Sequence, residues 1–109
     1  MPGGQPEEYF DTFTPNGDAV RVRFVRVGGQ VTWFVVQYEI YLDDRWRPVV
    51  RYDSAHGRPH RDELDWEGYV VEKHWFPAGT TNAAAFSIAR GEIRRQWRLF
   101  RDEFIRRRP

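Results

Sequence analysis

The chain has 109 residues, a formal net charge of +1, no cysteine, and sixteen arginines against one lysine. This length fits one domain with one hydrophobic core. The missing cysteines exclude a disulfide framework and a thiolate metal site, and the small net charge argues against a general polyanion binder. No apolar run reaches the roughly 18 residues of a membrane span, and residues 1–8 lack a signal pattern, so we expect a cytoplasmic protein without membrane contact.

Basic residues are concentrated near the C-terminus. Residues 1–89 hold nine Arg or Lys and thirteen Asp or Glu, whereas residues 90–109 hold eight Arg and three Asp or Glu. A mildly acidic stretch is therefore followed by a strongly basic last fifth.

The first elements along the chain are an arm and a hairpin. Residues 1–15 are rich in Pro and Gly, which predicts a flexible or extended arm before a single α+β domain over residues 16–109. Residues 20–27 and 31–42 alternate apolar and polar side chains, which predicts two strands. Gly28 and Gly29 between them predict a tight hairpin turn.

The middle of the chain predicts two more strands around a loop. Residues 45–52 alternate again, and Pro48 indicates that this strand lies at an edge or carries a bulge. Residues 53–67 contain Gly57, Pro59 and two histidines and break the alternation, so we predict a functional loop of about fifteen residues. Residues 68–76 return to a strand pattern.

The last element is a long amphipathic helix. Thr80 or Thr81 is the predicted N-cap, and the helical spacing runs to about residue 106. Its apolar stripe consists of Phe86, Ala89, Ile93, Trp97, Phe100 and Phe104. The sequence thus predicts an α+β fold, an antiparallel four-stranded meander with one long C-terminal helix packed on one face, most naturally the even-numbered face of residues 31–42.

The segment with the most chemistry is residues 51–63. A histidine pair supplies a general base and a general acid near neutral pH, and metal-independent phosphodiester cleavage needs such a pair together with a cation. His56 and His60 are the candidate pair, and Asp53 is a candidate to orient an imidazole. The candidate cations are Arg51, Arg58 and Arg61.

Three other interpretations of this segment stay open. His56 and His60 with a carboxylate from Asp53, Asp62 or Asp65 would make a nitrogen and oxygen site for zinc, manganese or nickel, although no familiar ligand spacing is present. The residues could instead have structural roles, in side-chain turns and a solvated charge cluster. The segment could also be a recognition loop without catalysis. His74, on the last predicted strand, would join the constellation if that strand lies beside the loop.

The predicted helix carries a row of arginines beside its apolar stripe. These residues, Arg90, Arg94, Arg98 and Arg101, have the spacing to follow a phosphate backbone, and Arg58 is a further candidate nucleic-acid contact. The alternative is structural, because arginine stems shield an apolar stripe and arginines near a helix C-terminus favour its dipole. Trp33 and Val35, on the odd face of their strand, indicate a second packed surface and hence a homodimer or protein partner.

Residues 51–62 read Arg-Tyr-Asp-Ser-Ala-His-Gly-Arg-Pro-His-Arg-Asp. This segment resembles a family of short bacterial proteins of unknown function that share an RYD-x-AHG-x-x-HRD core. The family layout continues with a Gly…Lys strand and a helix with a Trp and terminal Phe, so the likeness covers most of residues 31–105. The matching positions outside the core are Trp46, Gly68, Lys73, Trp97, Phe100 and Phe104.

More distantly, the same core is similar to a segment of the TumE-type toxins of toxin–antitoxin modules. The matching positions are Arg51, Tyr52, Asp53, Ala55, His56, Pro59 and His60. The chain departs from the toxins in a shorter intervening segment, in Gly57, and in Arg61–Asp62, where the toxins carry further histidines. The resemblance implies a small cytoplasmic protein that acts on RNA and is neutralised by a helix-turn-helix antitoxin.

Two functions from different classes follow. The first is a toxin-like, RNA-acting protein, at most a metal-independent ribonuclease, with His56 and His60 as the acid–base pair supported by Asp53, Arg51 and Arg61. The second is a non-catalytic dimeric interaction module that uses the arginine-rich helix or an exposed strand face. Neither hypothesis calls for a metal or another cofactor.

Overall fold

Six antiparallel strands and one C-terminal helix make up the computed structural model, which describes residues 4–109. The strands follow one another in the sheet in chain order, so every neighbouring pair is antiparallel. Their bounds are β1 Pro6–Thr12, β2 Ala19–Val27, β3 Gln30–Leu42, β4 Arg45–Asp53, β5 His60–Leu64 and β6 Val70–Trp75, and the helix α1 spans Asn82–Arg106. The predicted α+β class and the antiparallel meander with its C-terminal helix are confirmed.

The predicted number of four strands is wrong, because two of the six strands carry no apolar alternation. Strand β1 pairs with β2 at the edge of the sheet, and all seven of its residues are exposed. It lies within residues 1–15, where the sequence predicts an arm, and residues 1–3 lie outside the described part of the chain. An edge strand that buries no side chain leaves no hydrophobic pattern for a sequence to show.

The predicted loop over residues 53–67 is also wrong in extent. Strand β4 continues to Asp53, a short 3-10 turn covers Ala55–Gly57, and β5 occupies His60–Leu64 between β4 and β6. Strand β5 has the sequence HRDEL, and four of its five residues are buried. Its charged side chains are buried against partners on other elements. Because a segment this rich in charge is typical of a loop, composition alone does not predict a strand here.

Glycine and proline determine the sheet at two positions. Gly28 and Gly29 have φ angles of 57° and 80° in the hairpin between β2 and β3, a backbone region that favours glycine. Pro48 pairs with Glu39 directly beside a register shift between β3 and β4. Of the two positions predicted for a strand proline, the structure has the bulge, and β4 lies inside the sheet.

The hydrophobic core lies between α1 and one face of the sheet. Thr81 is the N-cap, and its side-chain oxygen accepts a hydrogen bond from the N–H of Ala84 at 3.1 Å. The ring of Phe86 lies 5.0 Å from that of Phe24 and 5.6 Å from that of Phe34. The even-numbered residues of β3 from Phe34 to Ile40 are all buried in this core, as the sequence predicts.

The register of β4, β5 and β6 divides their side chains between two faces. Tyr52, Arg61 and His74 are register partners on the face that α1 covers. Arg51, Asp62 and Lys73, each one residue away, are register partners on the opposite face. Among residues 4–109, no helix is both long and apolar enough to cross a membrane.

Candidate functional site

A pocket of about 150 Å³ opens where β5, β6 and α1 meet. We call it the dyad pocket, after the histidine–glutamate pair at its edge. Its lining residues are Tyr52, Arg61, His74, Trp75, Phe76, Pro77 and Glu92. Polar groups from three strands and the helix therefore converge on one concave surface, which is the usual form of a small-molecule or substrate site.

His74 and Glu63 form the pair that gives the pocket its name. Nε2 of His74 lies 2.6 Å from Oε2 of Glu63 and 3.5 Å from Oε1 of Glu72. A carboxylate only accepts, so Nε2 carries the hydrogen, and in the neutral ring Nδ1 holds the lone pair. The imidazole is half-buried, so Nδ1 is the nitrogen available to take a proton from a bound molecule.

Glu63 is buried and held by three cationic or N–H-donating side chains. Its Oε1 accepts from Arg107 at 2.9 Å, and its Oε2 accepts from His74 and, at 3.3 Å, from Arg61. Burial alone would raise the pKa of this carboxyl group, but the hydrogen bonds of Arg107 and His74 and the charge of Arg61 outweigh burial and lower it. Glu63 is therefore an anion that orients the imidazole of His74.

Tyr52 and Arg61 line the floor of the pocket. The hydroxyl of Tyr52 donates to Oε1 of Glu92 at 2.6 Å, and burial, followed by this bond, raises the pKa of the phenol. The guanidinium of Arg61 lies 3.8 Å from the same Glu92 oxygen and 5.5 Å from the ring of Phe100. Arg61 therefore places a guanidinium charge at the pocket, although its Nε is buried without a hydrogen-bond partner among residues 4–109.

The edge strand β6 carries an exposed aromatic ring among cations, on the sheet face opposite the pocket. Trp75 pairs with His60, and its ring lies 5.1 Å from that imidazole. The residue is 48% exposed. The guanidinium of Arg58 lies 5.0 Å from the centre of its ring, and Nζ of Lys73 lies 5.5 Å from it. Arg58 also donates to the carbonyl of Phe76 at 3.2 Å, which holds it beside this ring. An exposed ring beside positive charge is the arrangement on which nucleobases stack.

A second polar cluster lies on the opposite face of the sheet. Nε2 of the buried His60 lies 3.2 Å from Oδ1 of Asp53 and 3.4 Å from Oδ2 of Asp62. Oδ1 of Asp62 accepts from Lys73 at 2.7 Å. We call Asp53, His60 and Asp62 the buried triad.

The sequence-predicted site residues do not form one constellation. Asp53 and His60 come together in the buried triad, whereas Arg61 faces the dyad pocket across the sheet. Arg51 donates to Gln37 at 2.7 Å. His56 is exposed on the 3-10 turn with a φ of 63° and makes no polar side-chain contact within residues 4–109.

The four helix arginines predicted to contact nucleic acid all have partners within the described residues. Arg94 and Arg101 lie 3.8 and 3.5 Å from carboxylates of Asp11 and Asp18. Arg90 and Arg98 stack on aromatic rings, those of Phe86 and Trp97, at 5.4 and 4.4 Å. These contacts are of the structural kind, although Arg90, Arg94 and Arg98 keep exposed surface.

Sequence reasoning missed most of the dyad pocket. It named Arg61 and noted that His74 would join if its strand lay beside the loop, but it gave no role to Glu63, Tyr52 or Glu92. The signal that would have found them is the pairing of β5 with β6, which places Glu63 and His74 diagonally on one face. The sequence predicts a loop over residues 53–67, so it does not predict the pairing of β5 with β6.

Residues 4–109 match the family model described as Domain of unknown function (DUF7718). No curated protein matches the chain, and no solved structure does. The match covers every described element, from β1 to α1.

Proposed function

The chain belongs to the family of the domain of unknown function DUF7718, and we propose that it acts on single-stranded RNA by metal-independent cleavage in the dyad pocket. One observation carries this proposal. A histidine oriented by a buried carboxylate, 2.6 Å away, lines the same pocket as an arginine. This is a base and a cation on one concave surface, two of the three groups that phosphodiester transesterification uses, and water takes the part of the acid.

The proposed reaction uses His74, Glu63, Arg61 and one water molecule. The 2′-oxygen attacks phosphorus while its proton passes to Nδ1 of His74. The bond from phosphorus to the 5′-oxygen breaks, and the leaving oxygen takes a proton from water, which gives a 2′,3′-cyclic phosphate and a 5′-hydroxyl. The hydroxide left behind takes the proton from His74, which restores the neutral imidazole. Arg61 stabilises the negative charge that develops on the phosphoryl oxygens, and Glu63 stabilises the imidazolium of His74.

The pocket's size and the neighbouring edge strand support a polymeric, single-stranded substrate. Its volume of about 150 Å³ is below the roughly 300–1,000 Å³ of sites that enclose a whole small molecule. It suits one phosphate with part of its ribose, so the rest of the ligand would lie outside. Trp75 with Arg58 and Lys73 offers a stacking surface on the other side of the edge strand β6, within reach of a chain that passes around this edge. Unpaired bases expose their faces for such stacking.

This proposal keeps the RNA-acting role that the resemblance to TumE-type toxins implies and gives the chemistry to other residues. His60 is 2% exposed, and Nδ1 lies 3.1 Å from the carbonyl oxygen of Arg58, so its ring is committed to the interior. His56 has no orienting carboxylate within residues 4–109. His74 has both an orienting partner and access to a pocket.

The test is cleavage of fluorescent single-stranded RNA by the purified full-length chain in EDTA. We expect cleavage with cyclic phosphate ends, and a loss of about 10²–10⁴-fold in His74→Gln, which removes the proton acceptor and keeps a donor to Glu63. The matched control is His56→Asn, since asparagine tolerates the positive φ of that turn. The proposal fails if wild type shows only background, or if the two variants lose activity equally.

A second function is favoured by the edge strand β6. Val70 and Val71 in this strand are 49% and 48% exposed, and Tyr69 before it is 69% exposed. An apolar edge strand with free backbone groups is a pairing surface for another strand. The homodimer or antitoxin partner expected from the sequence would bind here, and Val71→Lys should convert a dimer to a monomer in light scattering. A wild type that is monomeric at high concentration, with no partner on β6, rejects this role.

A further inference from the structure

We propose that the buried triad, Asp53, His60 and Asp62, binds one divalent transition-metal ion on the sheet face opposite the dyad pocket. The inference is independent of the proposed RNA-acting function, because the two sites share no residue and lie on opposite faces of β5. It rests on the positions of three donor atoms, on the tautomer of His60, and on the groups that form hydrogen bonds with each of the three side chains.

The three donor atoms have the spacing of a metal site. Nε2 of His60 lies 3.2 Å from Oδ1 of Asp53 and 3.4 Å from Oδ2 of Asp62, and all three atoms lie within 4.8 Å of one another. Ligands at about 2.0–2.2 Å from a tetrahedral ion are separated by about 3.3–3.6 Å. The two separations from His60 are close to this range, and the carboxylate oxygens lie within 4.8 Å of each other, so the side chains can close around one ion.

The tautomer of His60 requires a cation at this position. Nδ1 lies 3.1 Å from the carbonyl oxygen of Arg58, which only accepts, so Nδ1 carries the hydrogen. In the neutral ring the lone pair of Nε2 then points at two carboxylate oxygens, which would repel it. Either a second proton or a metal ion has to lie between these atoms.

The distances favour a metal ion over a second proton. Both contacts of Nε2, 3.2 and 3.4 Å, are longer than the roughly 2.7–2.9 Å of a charge-assisted N–H···O bond. The side chain of His60 is only 3% exposed, so no solvent contact compensates for the weak geometry.

Each donor group has an outer partner that orients it. The carbonyl of Arg58 holds the ring of His60, the N–H of Ala55 donates to Oδ1 of Asp53 at 2.9 Å, and Lys73 donates to Oδ1 of Asp62 at 2.7 Å. Metal-bound histidines and carboxylates are regularly supported in this way. The Lys73 bond uses the oxygen of Asp62 that does not face His60, so it leaves Oδ2 free for the ion.

One nitrogen and two oxygen donors favour zinc or manganese over magnesium and calcium, which prefer oxygen ligands alone. Three protein ligands leave the fourth position of a tetrahedral ion for water. The donors come from β4 and β5, and Lys73 of β6 supports them, so a bound ion links three neighbouring strands. The side chains that these strands bury here are charged. We therefore expect binding to raise the stability of this half of the sheet.

The chain supplies a matched control in a second group of three, Glu63, Glu72 and His74, whose donor atoms are also within 4.8 Å of one another. Here the side chain of Glu72 is 59% exposed, and Nε2 of His74 already bonds to Glu63 at 2.6 Å. Its imidazole hydrogen faces the carboxylates, so the lone pair points away from the group. This group therefore lacks a buried imidazole lone pair that points at two carboxylates, which is the feature that carries the proposal.

The first experiment is calorimetric titration of the full-length, EDTA-dialysed chain with Zn²⁺, Mn²⁺ and Mg²⁺. We expect one Zn²⁺ or Mn²⁺ per chain and no saturable Mg²⁺ binding. Asp62→Asn should weaken Zn²⁺ binding by more than about 100-fold, since loss of an outer partner alone costs about 10–100-fold. Glu72→Gln should leave binding unchanged. Absence of stoichiometric binding in wild type, or an equal loss in the two variants, overturns the proposal.

The second experiment needs no substitution in the buried triad and so does not depend on how Asp62→Asn folds. The chain has three histidines, whose ring nitrogens give separate NMR signals. We expect Zn²⁺ to shift Nε2 of His60 strongly and to leave His56 and His74 unshifted, with His56→Asn and His74→Gln providing the assignments. A shift of His74 or His56 in place of His60 contradicts the site.

Discussion

Nε2 of His74 lies 2.6 Å from Oε2 of Glu63, although the two residues are eleven positions apart and belong to neighbouring strands. The contact is diagonal across the pairing of β5 with β6, on the face that α1 covers. It fixes the imidazole with its lone pair available at the dyad pocket. The proposed RNA chemistry depends on this pair.

Glu63 should make the stability of the protein fall in acid. Its pKa is lowered in the folded state, so below the ordinary glutamate value of 4.5 the unfolded chain binds a proton that the folded chain does not. The stabilisation is present above that value and is lost as the pH falls through the folded pKa. Urea unfolding from pH 6 to pH 3 should show a steeper loss in wild type than in Glu63→Gln. Parallel curves for the two proteins would contradict the assignment.

Arg61→Lys should lower the turnover of RNA cleavage while the protein stays folded. Lysine keeps the charge but loses the fork of N–H donors that meets phosphoryl oxygens, and removing one such donor typically costs about 10²–10³-fold in kcat. Steady-state kinetics of RNA cleavage give the effect. Arg51→Lys, on the opposite face of the sheet, is the control and should retain the wild-type kcat. Equal losses would show that the effect is not local to the pocket.

Trp75→Ala should weaken the binding of single-stranded RNA. Stacking of one base on an aromatic side chain contributes about 1–3 kcal/mol, and Trp75 is an exposed ring on the edge strand β6, on the face opposite the pocket. Fluorescence anisotropy with labelled RNA measures the change. Tyr69→Ala removes a ring that is more exposed but does not line the pocket, and it should bind as wild type does. If Tyr69→Ala has the larger effect, the RNA path lies elsewhere.

Salt titration should distinguish the cations beside Trp75 from the helix arginines. Each phosphate contact on single-stranded nucleic acid contributes about 0.7 to the slope of log K against log salt. Arg58→Gln should reduce the slope by about that amount, because Arg58 lies beside Trp75 at the edge of the sheet. Arg98→Gln should leave the slope unchanged, since Arg98 stacks on Trp97. The reverse result would restore the helix as the phosphate-binding surface.

Tyr38→Phe should destabilise the fold without touching the pocket. The hydroxyl of Tyr38 donates to Oδ2 of the buried Asp18 at 2.6 Å, and leaving a buried carboxylate without this donor should cost about 1–3 kcal/mol. Denaturant unfolding gives the free energy directly. Tyr41→Phe is the control, because Tyr41 is 57% exposed and should be neutral. A neutral Tyr38→Phe would mean that Arg101, 3.5 Å away, suffices for Asp18.

The sequence located the elements whose burial follows a simple period. Three such features could be predicted, because each depends on residues close together in the chain. They are the hairpin at Gly28 and Gly29, the cap at Thr81 and the apolar face of β3. Strands β1 and β5 could not be predicted from the sequence. The first buries no side chain, and the second buries charged ones.

What the sequence by itself determined is the α+β class, the helix over residues 82–106, and a chemistry limited to histidine, carboxylate and guanidinium by the absence of cysteine. Only the tertiary structure decided which of these groups meet. Successive residues of a strand point to opposite faces, so the register of β5 separates Arg61 and Glu63 from His60 and Asp62. That register depends on pairing with β4 and β6, contacts that no local pattern in residues 60–64 specifies.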